Sequence, residues 1–184
     1  VQTPPKGFPV LIDRPSLDFR IAEMARELLD AGEADPHLIC VLDGGRTFAD
    51  RICKAMGREA GAYDTIKLAS YGAGTTSSGA VRIVKEMSLE VRGRRVVILE
   101  DIVDTGRTLA FLKRILLERG AASIEICTLL DKPSRRVVDV DVDLAGFEIP
   151  DVFVIGFGMD LNGRYRDLPY VGIYEEASEG QQAS

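Results

Sequence analysis

Residues 96 to 109 run Val-Val-Ile-Leu-Glu-Asp-Ile-Val-Asp-Thr-Gly-Arg-Thr-Leu. Val96 to Leu99 have the continuous apolar character of a buried strand. Glu100, Asp101 and Asp104 then place three carboxylates within five positions. The chain goes on through Asp104, Thr105, Gly106, Arg107 and Thr108 into an apolar helical pattern. A glycine turn between strand and helix leaves the N–H groups of the first helical turn free, and the helix dipole adds positive character there. With the hydroxyls of Thr105 and Thr108, residues 104 to 108 form a candidate phosphate cradle. Carboxylates just before it would repel a phosphate lying among them. They suit the hydroxyls of a sugar, or a Mg²⁺ ion held on those hydroxyls. A phosphate in the loop and a diol close behind it describe a ribose 5-phosphate. The competing reading is a strand end with solvated acids. There is no GxxxxGK[ST] loop, so nucleoside triphosphate hydrolysis is not indicated.

The elements that must position this stretch follow from its neighbours. Residues 1 to 15 carry Pro4, Pro5, Pro9 and Pro15 and are expected to be an extended arm. Ser16 is the expected cap of a helix whose Leu17, Ile21, Met24 and Leu28 keep helical spacing, ending near Gly32. Leu38 to Leu42 is a short apolar strand, Asp43-Gly44-Gly45 a tight loop, and Thr47 to Met56 a second helix. Residues 62 to 70 alternate as a strand does. A Gly/Ser/Thr-rich hairpin loop, 71 to 79, leads to another strand-like piece, AVRIVKEM. Leu109, Leu112, Ile115 and Leu116 mark the helix after the cradle, closed by Gly120. Ser123 to Leu130 is a further strand. Residues 139 to 149 read as acidic and irregular, 153 to 156 and 170 to 173 as short strands, and the tail from 175 to 184 as disordered. Alternation of strand and helix predicts an α/β fold with a doubly wound, mostly parallel sheet. Ligands of such sheets lie beyond the carboxyl ends of the strands. Asp43 to Gly45, Glu100 to Thr108, and Asp131 with Lys132 therefore fall along one rim.

The 184 residues suffice for one domain, and 46% hydrophobic with 28% charged residues is ordinary globular composition. A net charge of −6 argues against a nucleic-acid or anionic-membrane partner. No apolar run approaches the ~18 residues that would span a bilayer, and no signal peptide is visible, so a cytoplasmic location is expected. Cys40, Cys53 and Cys127 are too scattered for a zinc or disulfide framework and are expected to be buried thiols. His37, in an Asp-Pro-His lead-in to a strand, is expected to face solvent or act as a cap.

Two acids, two apolar residues and Asp-Thr-Gly-x-Thr resemble the phosphoribosyl-pyrophosphate motif of the type I phosphoribosyltransferases. KLASYGAGTTSSG (67–79) is similar to the flexible loop of their purine-salvage branch, the hypoxanthine–guanine phosphoribosyltransferases. LLDKP (129–133) and GFEIPDVFVIGFGMDLNGRYRDLPYVGI (146–173) resemble the base-binding and C-terminal segments of that branch, in its bacterial form. The resemblance spans roughly residues 8 to 174. It implies the type I fold in a single domain: a core over about 34–145, and a small hood from the N- and C-terminal segments, about 1–33 and 146–174.

The implied activity joins a 6-oxopurine, hypoxanthine or guanine, to phosphoribosyl pyrophosphate with Mg²⁺ as cofactor. The products are the nucleoside 5′-monophosphate and pyrophosphate. By the resemblance, Asp104 is the general acid/base at N7, worth about 10²–10⁴-fold in rate. Residues 104 to 108 hold the 5′-phosphate. Glu100 and Asp101 face the ribose and the metal, and Asp160 is a further metal ligand. Lys132 donates to O6 of the purine, a contact that the 6-amino group of adenine cannot return. Phe153 stacks on the base, Val154 meets its edge, and backbone near Met159 and Asp160 reads the guanine amino group. Leu42, Asp43, Gly44 and Gly45 form the pyrophosphate loop, whose first peptide can be cis in the family, and Arg166 meets the departing pyrophosphate. Ser70 and Tyr71 belong to a lid that excludes water. The sequence departs from the family at position 43, where lysine is frequent and aspartate stands here, and Arg107 occupies a variable position. A homodimer or homotetramer is the family's habit.

Two alternatives remain at this point, and a third fails. An enzyme for another base could prefer xanthine, which no side chain separates from guanine, or a pyrimidine, against which the 146–173 segment argues. A non-catalytic sensor of phosphoribosyl pyrophosphate would need a nucleic-acid-binding face, which is not visible. A dehydrogenase-type nucleotide domain would need GxGxxG after the first strand, which is missing.

Overall fold

The computed structural model describes residues 8–32, 35–70 and 81–175. Strand β1 (Val10–Ile12) leads into helix α1 (Arg14–Asp30). Asp13, not Ser16, caps that helix: its carboxylate accepts from the Ser16 amide at 2.9 Å, with Pro15 in the first turn. Then follow β2 (His37–Leu42), α2 (Arg46–Ala55), β3 (Asp64–Ser70), β4 (Val81–Lys85), β5 (Arg95–Val103), α3 (Arg107–Glu118) and β6 (Ser123–Asp131). A 3-10 turn, Pro133–Arg135, precedes β7 (Leu144–Glu148), β8 (Val154–Ile155) and β9 (Val171–Ile173).

Six strands form one sheet in the order β4-β3-β2-β5-β6-β7. All its pairs are parallel except β3 with β4. Residues of β2 and β5 alternate between two cores. Leu38, Cys40, Val97 and Leu99 pack with α1 and α2 on one face, while Ile39, Val41, Val96 and Ile98 pack with α3 on the other. That two-sided burial explains why these strands read as continuous apolar runs. From the neighbouring strands β2 and β5, one connection winds towards β3 and the other towards β6. Their carboxyl ends are therefore the point where the winding reverses, and a crevice opens there.

A second sheet, β1-β9-β8, joins the two ends of the described chain. Val10 pairs with Gly172 and Val154 with Ile173. The expected arm is thus partly a strand, because its backbone groups find partners some 160 residues away in sequence. Residues 144–148, expected to be irregular, form the strand β7, in parallel register with β6. Each of its residues is only partly buried, so no apolar run announces it.

His37 is also not where the sequence suggested. It begins β2, is buried, and its Nε2 has no hydrogen-bond partner; burial pushes its pKa down. It lies at the opposite end of β2 from the crevice. The three cysteines are buried and free as expected, and burial raises the Cys40 thiol to about 12. Among the described residues no helix is long and apolar enough to cross a membrane.

Candidate active site

The crevice holds a cavity of about 380 Å³ lined by Asp43, Gly44, Asp101, Ile102, Asp104, Lys132, Phe153, Val154, Met159, Asp160 and Arg166. Residues from the ends of β2, β5 and β6 and from the segment around β8 thus share one space. Two smaller cavities adjoin it. One, of about 110 Å³, is the cradle, lined by Glu100, Ile102, Val103, Asp104, Thr105, Gly106, Thr108 and Leu109. The other, of about 310 Å³, is lined by Asp43, Arg46, Thr47, Gly158 and Arg166.

The cradle owes its shape to Gly106. It caps α3 in the left-handed region, φ 80°, and a Cβ there would lie 2.6 Å from Val140 Cγ1 and 2.9 Å from Arg136 Cδ. Ala110 N donates to the Gly106 carbonyl at 2.9 Å as the helix starts. The segment after β6 closes the turn from outside: Arg136 donates to the Asp104 carbonyl at 2.7 Å and to the Asp131 carboxylate. Val137 N reaches the Thr105 carbonyl at 3.1 Å.

The acids do not end the strand, as expected, but lie within it, since β5 runs on to Val103. Glu100 faces the cradle and Asp101 the main cavity. Ile102 and Asp104 line both, so they form the wall between the two spaces. Burial, then the charge of Asp101 and a hydrogen bond with it, push the Glu100 carboxyl well above its usual range. Burial also raises Asp101, against the hydrogen bond from Glu100, backbone N–H groups and the charge of Arg166. The proton of the pair is thus favoured on Glu100. Glu100 is partly exposed as a residue, yet its Oε2 is buried without a hydrogen-bond partner. A carboxyl that carries its proton removes the repulsion that an ionised acid beside a phosphate would create.

Asp104 Oδ1 accepts from Arg135 Nε at 3.0 Å, and Arg135 also lies 3.5 Å from Asp151. Lys132 is only 8% exposed; its Nζ donates to the Val152 carbonyl at 2.7 Å and is 4.0 Å from Asp151. Phe153 is 51% exposed, an unusual position for a large ring, and meets Tyr174 edge-on at 5.9 Å. Met159 is buried beneath the cavity. Asp160 is engaged twice: Oδ1 by Arg166 at 2.5 Å and Oδ2 by the Gly163 amide at 2.6 Å. Arg166 also donates to the Gly158 carbonyl at 2.6 Å.

The Leu42–Asp43 peptide is cis. Asp43 is paired with Lys67 Nζ at 2.6 Å. Leu42, Gly45 and Arg107, all candidates from the sequence, line none of these three cavities; Gly45 is buried against the Val41 carbonyl and Arg107 points outward. Ser70 ends β3, whereas Tyr71 and the remainder of the expected lid lie outside the described residues. Sequence reasoning missed Ile102, Arg135, Arg46, Thr47 and Lys67. Ile102 could have been found from its place between Asp101 and Asp104; the others depend on contacts between elements.

Among the described residues no three His, Cys, Asp or Glu side chains form a metal cluster. Mg²⁺ is typically held by one or two carboxylates and by oxygens of a phosphorylated ligand. Asp101 and the unpartnered Oε2 of Glu100 fit that kind of shared coordination once an ion displaces the Glu100 proton. Asp160 would have to exchange Arg166 for the ion.

Residues 11–162 match the family model of the phosphoribosyl transferase domain. The hypoxanthine-guanine phosphoribosyltransferase of Streptococcus thermophilus is 39% identical over 168 residues, 91% of this chain and 93% of that protein. The hypoxanthine phosphoribosyltransferase of Escherichia coli is 41% identical over 167 residues, 89% of this chain and 93% of that protein. A crystal structure of a hypoxanthine-guanine phosphoribosyltransferase from Bacillus anthracis matches with a TM-score of 0.84 at 34% identity, covering 90% of this chain and 98% of that one. The chain belongs to the phosphoribosyltransferase family and has the mostly parallel α/β fold of its type I members.

Proposed function

We propose that the protein transfers the 5-phosphoribosyl group of phosphoribosyl pyrophosphate to N9 of hypoxanthine or guanine, yielding the nucleoside monophosphate and pyrophosphate for purine salvage. The observation that carries this is the shared wall: Asp104 and Ile102 separate a cradle from a cavity that also holds Lys132 and Phe153. A sugar lying across that wall has its phosphate in the cradle and its anomeric carbon towards the base.

The base lies on the exposed ring of Phe153, with O6 accepting from Lys132. Lysine offers donors only, and Lys132 lines the cavity with one of its three N–H groups engaged by the Val152 carbonyl. N9 bonds to C1′ as the C1′–O bond to pyrophosphate breaks. The N7 proton of the base passes to Asp104, whose Oδ2 has no hydrogen-bond partner among the described residues while Arg135 holds Oδ1. Thr105, Gly106 and Thr108 bind the 5′-phosphate, and Asp101 with Glu100 meets the ribose hydroxyls. Asp43, Gly44 and Arg166 stand where the pyrophosphate departs. Glu100, Asp101 and Asp160 are the residues that would hold Mg²⁺, which when bound supplies positive charge to the pyrophosphate as it leaves. The proposal includes a cytoplasmic homodimer or homotetramer, as the resemblance implies.

Initial rates with hypoxanthine, guanine, xanthine and adenine at saturating phosphoribosyl pyrophosphate and Mg²⁺ test the function. Nucleotide is expected from hypoxanthine or guanine and none from adenine. Folded protein that makes no nucleotide from any of the four would overturn it, and a dominant rate with xanthine would reassign the base.

A further inference from the structure

Asp43 is an odd residue to find beside a departing pyrophosphate, because its charge opposes that ligand. Its surroundings explain it. The parallel register of β2 and β3 sets Lys67 opposite Leu42, one residue before Asp43, and the two side chains pair at 2.6 Å. Arg166 lines the main cavity and its neighbour together with Asp43. Arg46 lines the neighbouring cavity from the first turn of α2. Among the described residues Arg46 has no hydrogen-bond or ion-pair partner. A cation at a helix N-terminus works against the helix dipole, so Arg46 is placed there at the expense of the helix. Thr47 adds a hydroxyl donor on the same wall. Asp43 thus shares the wall of a cavity of about 310 Å³ with Arg46 and Arg166, whose charges act on it, while Lys67 pairs with it from β3.

We propose that Asp43 is a built-in counter-ion for Lys67, Arg46 and Arg166, displaced by the diphosphate of the substrate, and that Lys67 and Arg46 then bind that diphosphate. The proposal deepens, and rests on, phosphoribosyl transfer at this site. Lys67 and Asp43 are both about half exposed, with side chains 41% and 52% accessible. A pair of that kind is held weakly and yields readily to a ligand of higher charge. Asp43 keeps the cations together while the site is empty and sets a limit on how tightly pyrophosphate is retained.

The experiment is calorimetric titration of inorganic pyrophosphate with Mg²⁺ into the full chain, alongside the KM for phosphoribosyl pyrophosphate. Asp43→Asn should tighten both by about two- to fivefold, the range of an exposed ion pair. Lys67→Gln and Arg46→Gln should each weaken both by a similar factor, with a smaller change in the KM for the purine. Circular dichroism confirms that each variant is folded. Unchanged or weaker pyrophosphate binding in Asp43→Asn, or unchanged binding in both cation variants, overturns the proposal. The two readings fail separately. A parent protein that binds pyrophosphate with these variant effects but makes no nucleotide sinks the enzymatic function alone. Normal turnover with insensitive variants sinks the counter-ion alone.

Discussion

The carboxylate of Asp101 occupies the space that a Cβ on Gly44 would fill. The loop after β2 and the acid of β5 are thus in direct contact across the switch point of the sheet. Gly44→Ala must push the two apart. Displacement of a positioning group by about 1 Å can cost about 10²-fold in rate. Such a loss in kcat/KM for phosphoribosyl pyrophosphate is expected, with far-ultraviolet circular dichroism unchanged. Full activity in the alanine variant would show that this contact does not matter to catalysis.

Among the described residues Asp104 is the only acid that lines both the cradle and the main cavity. Asp104→Asn keeps the shape and removes the proton acceptor. A fall of about 10²–10⁴-fold in kcat is expected, with little change in affinity for phosphoribosyl pyrophosphate. Single-turnover nucleotide formation, measured beside equilibrium binding, separates the two effects.

Lys132 sits at the wall of the cavity with its ammonium fixed by the Val152 carbonyl. Lys132→Gln replaces the donor-only head with an amide that also offers an acceptor. The KM for hypoxanthine should rise about 10-fold or more, and discrimination against adenine should weaken. Competition between labelled hypoxanthine and adenine reads both changes in one assay.

Glu100 gives a pH dependence with a definite sign. Unfolded, it titrates near 4.3, about the value of a free glutamate. Folded, burial and Asp101 hold its carboxyl well above that value. Between the two values the folded state binds the extra proton, so this group's contribution makes stability fall as pH rises through that window. Glu100→Gln removes the titration. The variant should gain stability relative to the parent on going from pH 4 to neutral, in buffer without divalent ions, while losing activity. Parallel melting curves against pH would sink this if the difference between the two proteins stayed flat.

Asp64 has the opposite sign. Burial would raise its carboxyl, but hydrogen bonds from the amides of Leu89, Ser88 and Thr65 and from the Ser88 hydroxyl bring it below its usual range. These bonds pin the segment after β4 to the start of β3. Asp64→Ala should cost about 1–3 kcal/mol at neutral pH. The stabilisation is present above the unfolded value of about 3.9 and is lost as pH falls towards the lower folded value. The gap between variant and parent in urea unfolding should therefore narrow in acid.

The stretch from Val96 to Leu109 revealed most of the chemistry because each piece acts on its neighbours in sequence. A buried strand, a glycine in a left-handed cap and the amides of a new helix turn make most of a cradle between neighbours in sequence, and only the closure by Arg136 and Val137 comes from afar. The mostly parallel sheet was legible for the same kind of reason: strands covered on both faces carry continuous apolar runs, as residues 38–42 and 96–99 do. β7 escaped because partial burial leaves no such run, and Asp13 escaped because Pro15 and Ser16 made the later residue look like the cap.

By itself the sequence determined the glycine turn after β5, the three acids, the order of strands and helices from α1 to β6, and the rim on which they meet. Tertiary structure decided which way each acid faces, sending Glu100 to the cradle and Asp101 to the main cavity. It also paired Asp43 with Lys67, 24 residues on, and Asp104 with Arg135, 31 residues on. Those partners are set by strand register and by the path of the chain after β6. Ion pairs between elements depend on where backbones come to lie, and local residue preferences carry no information about that.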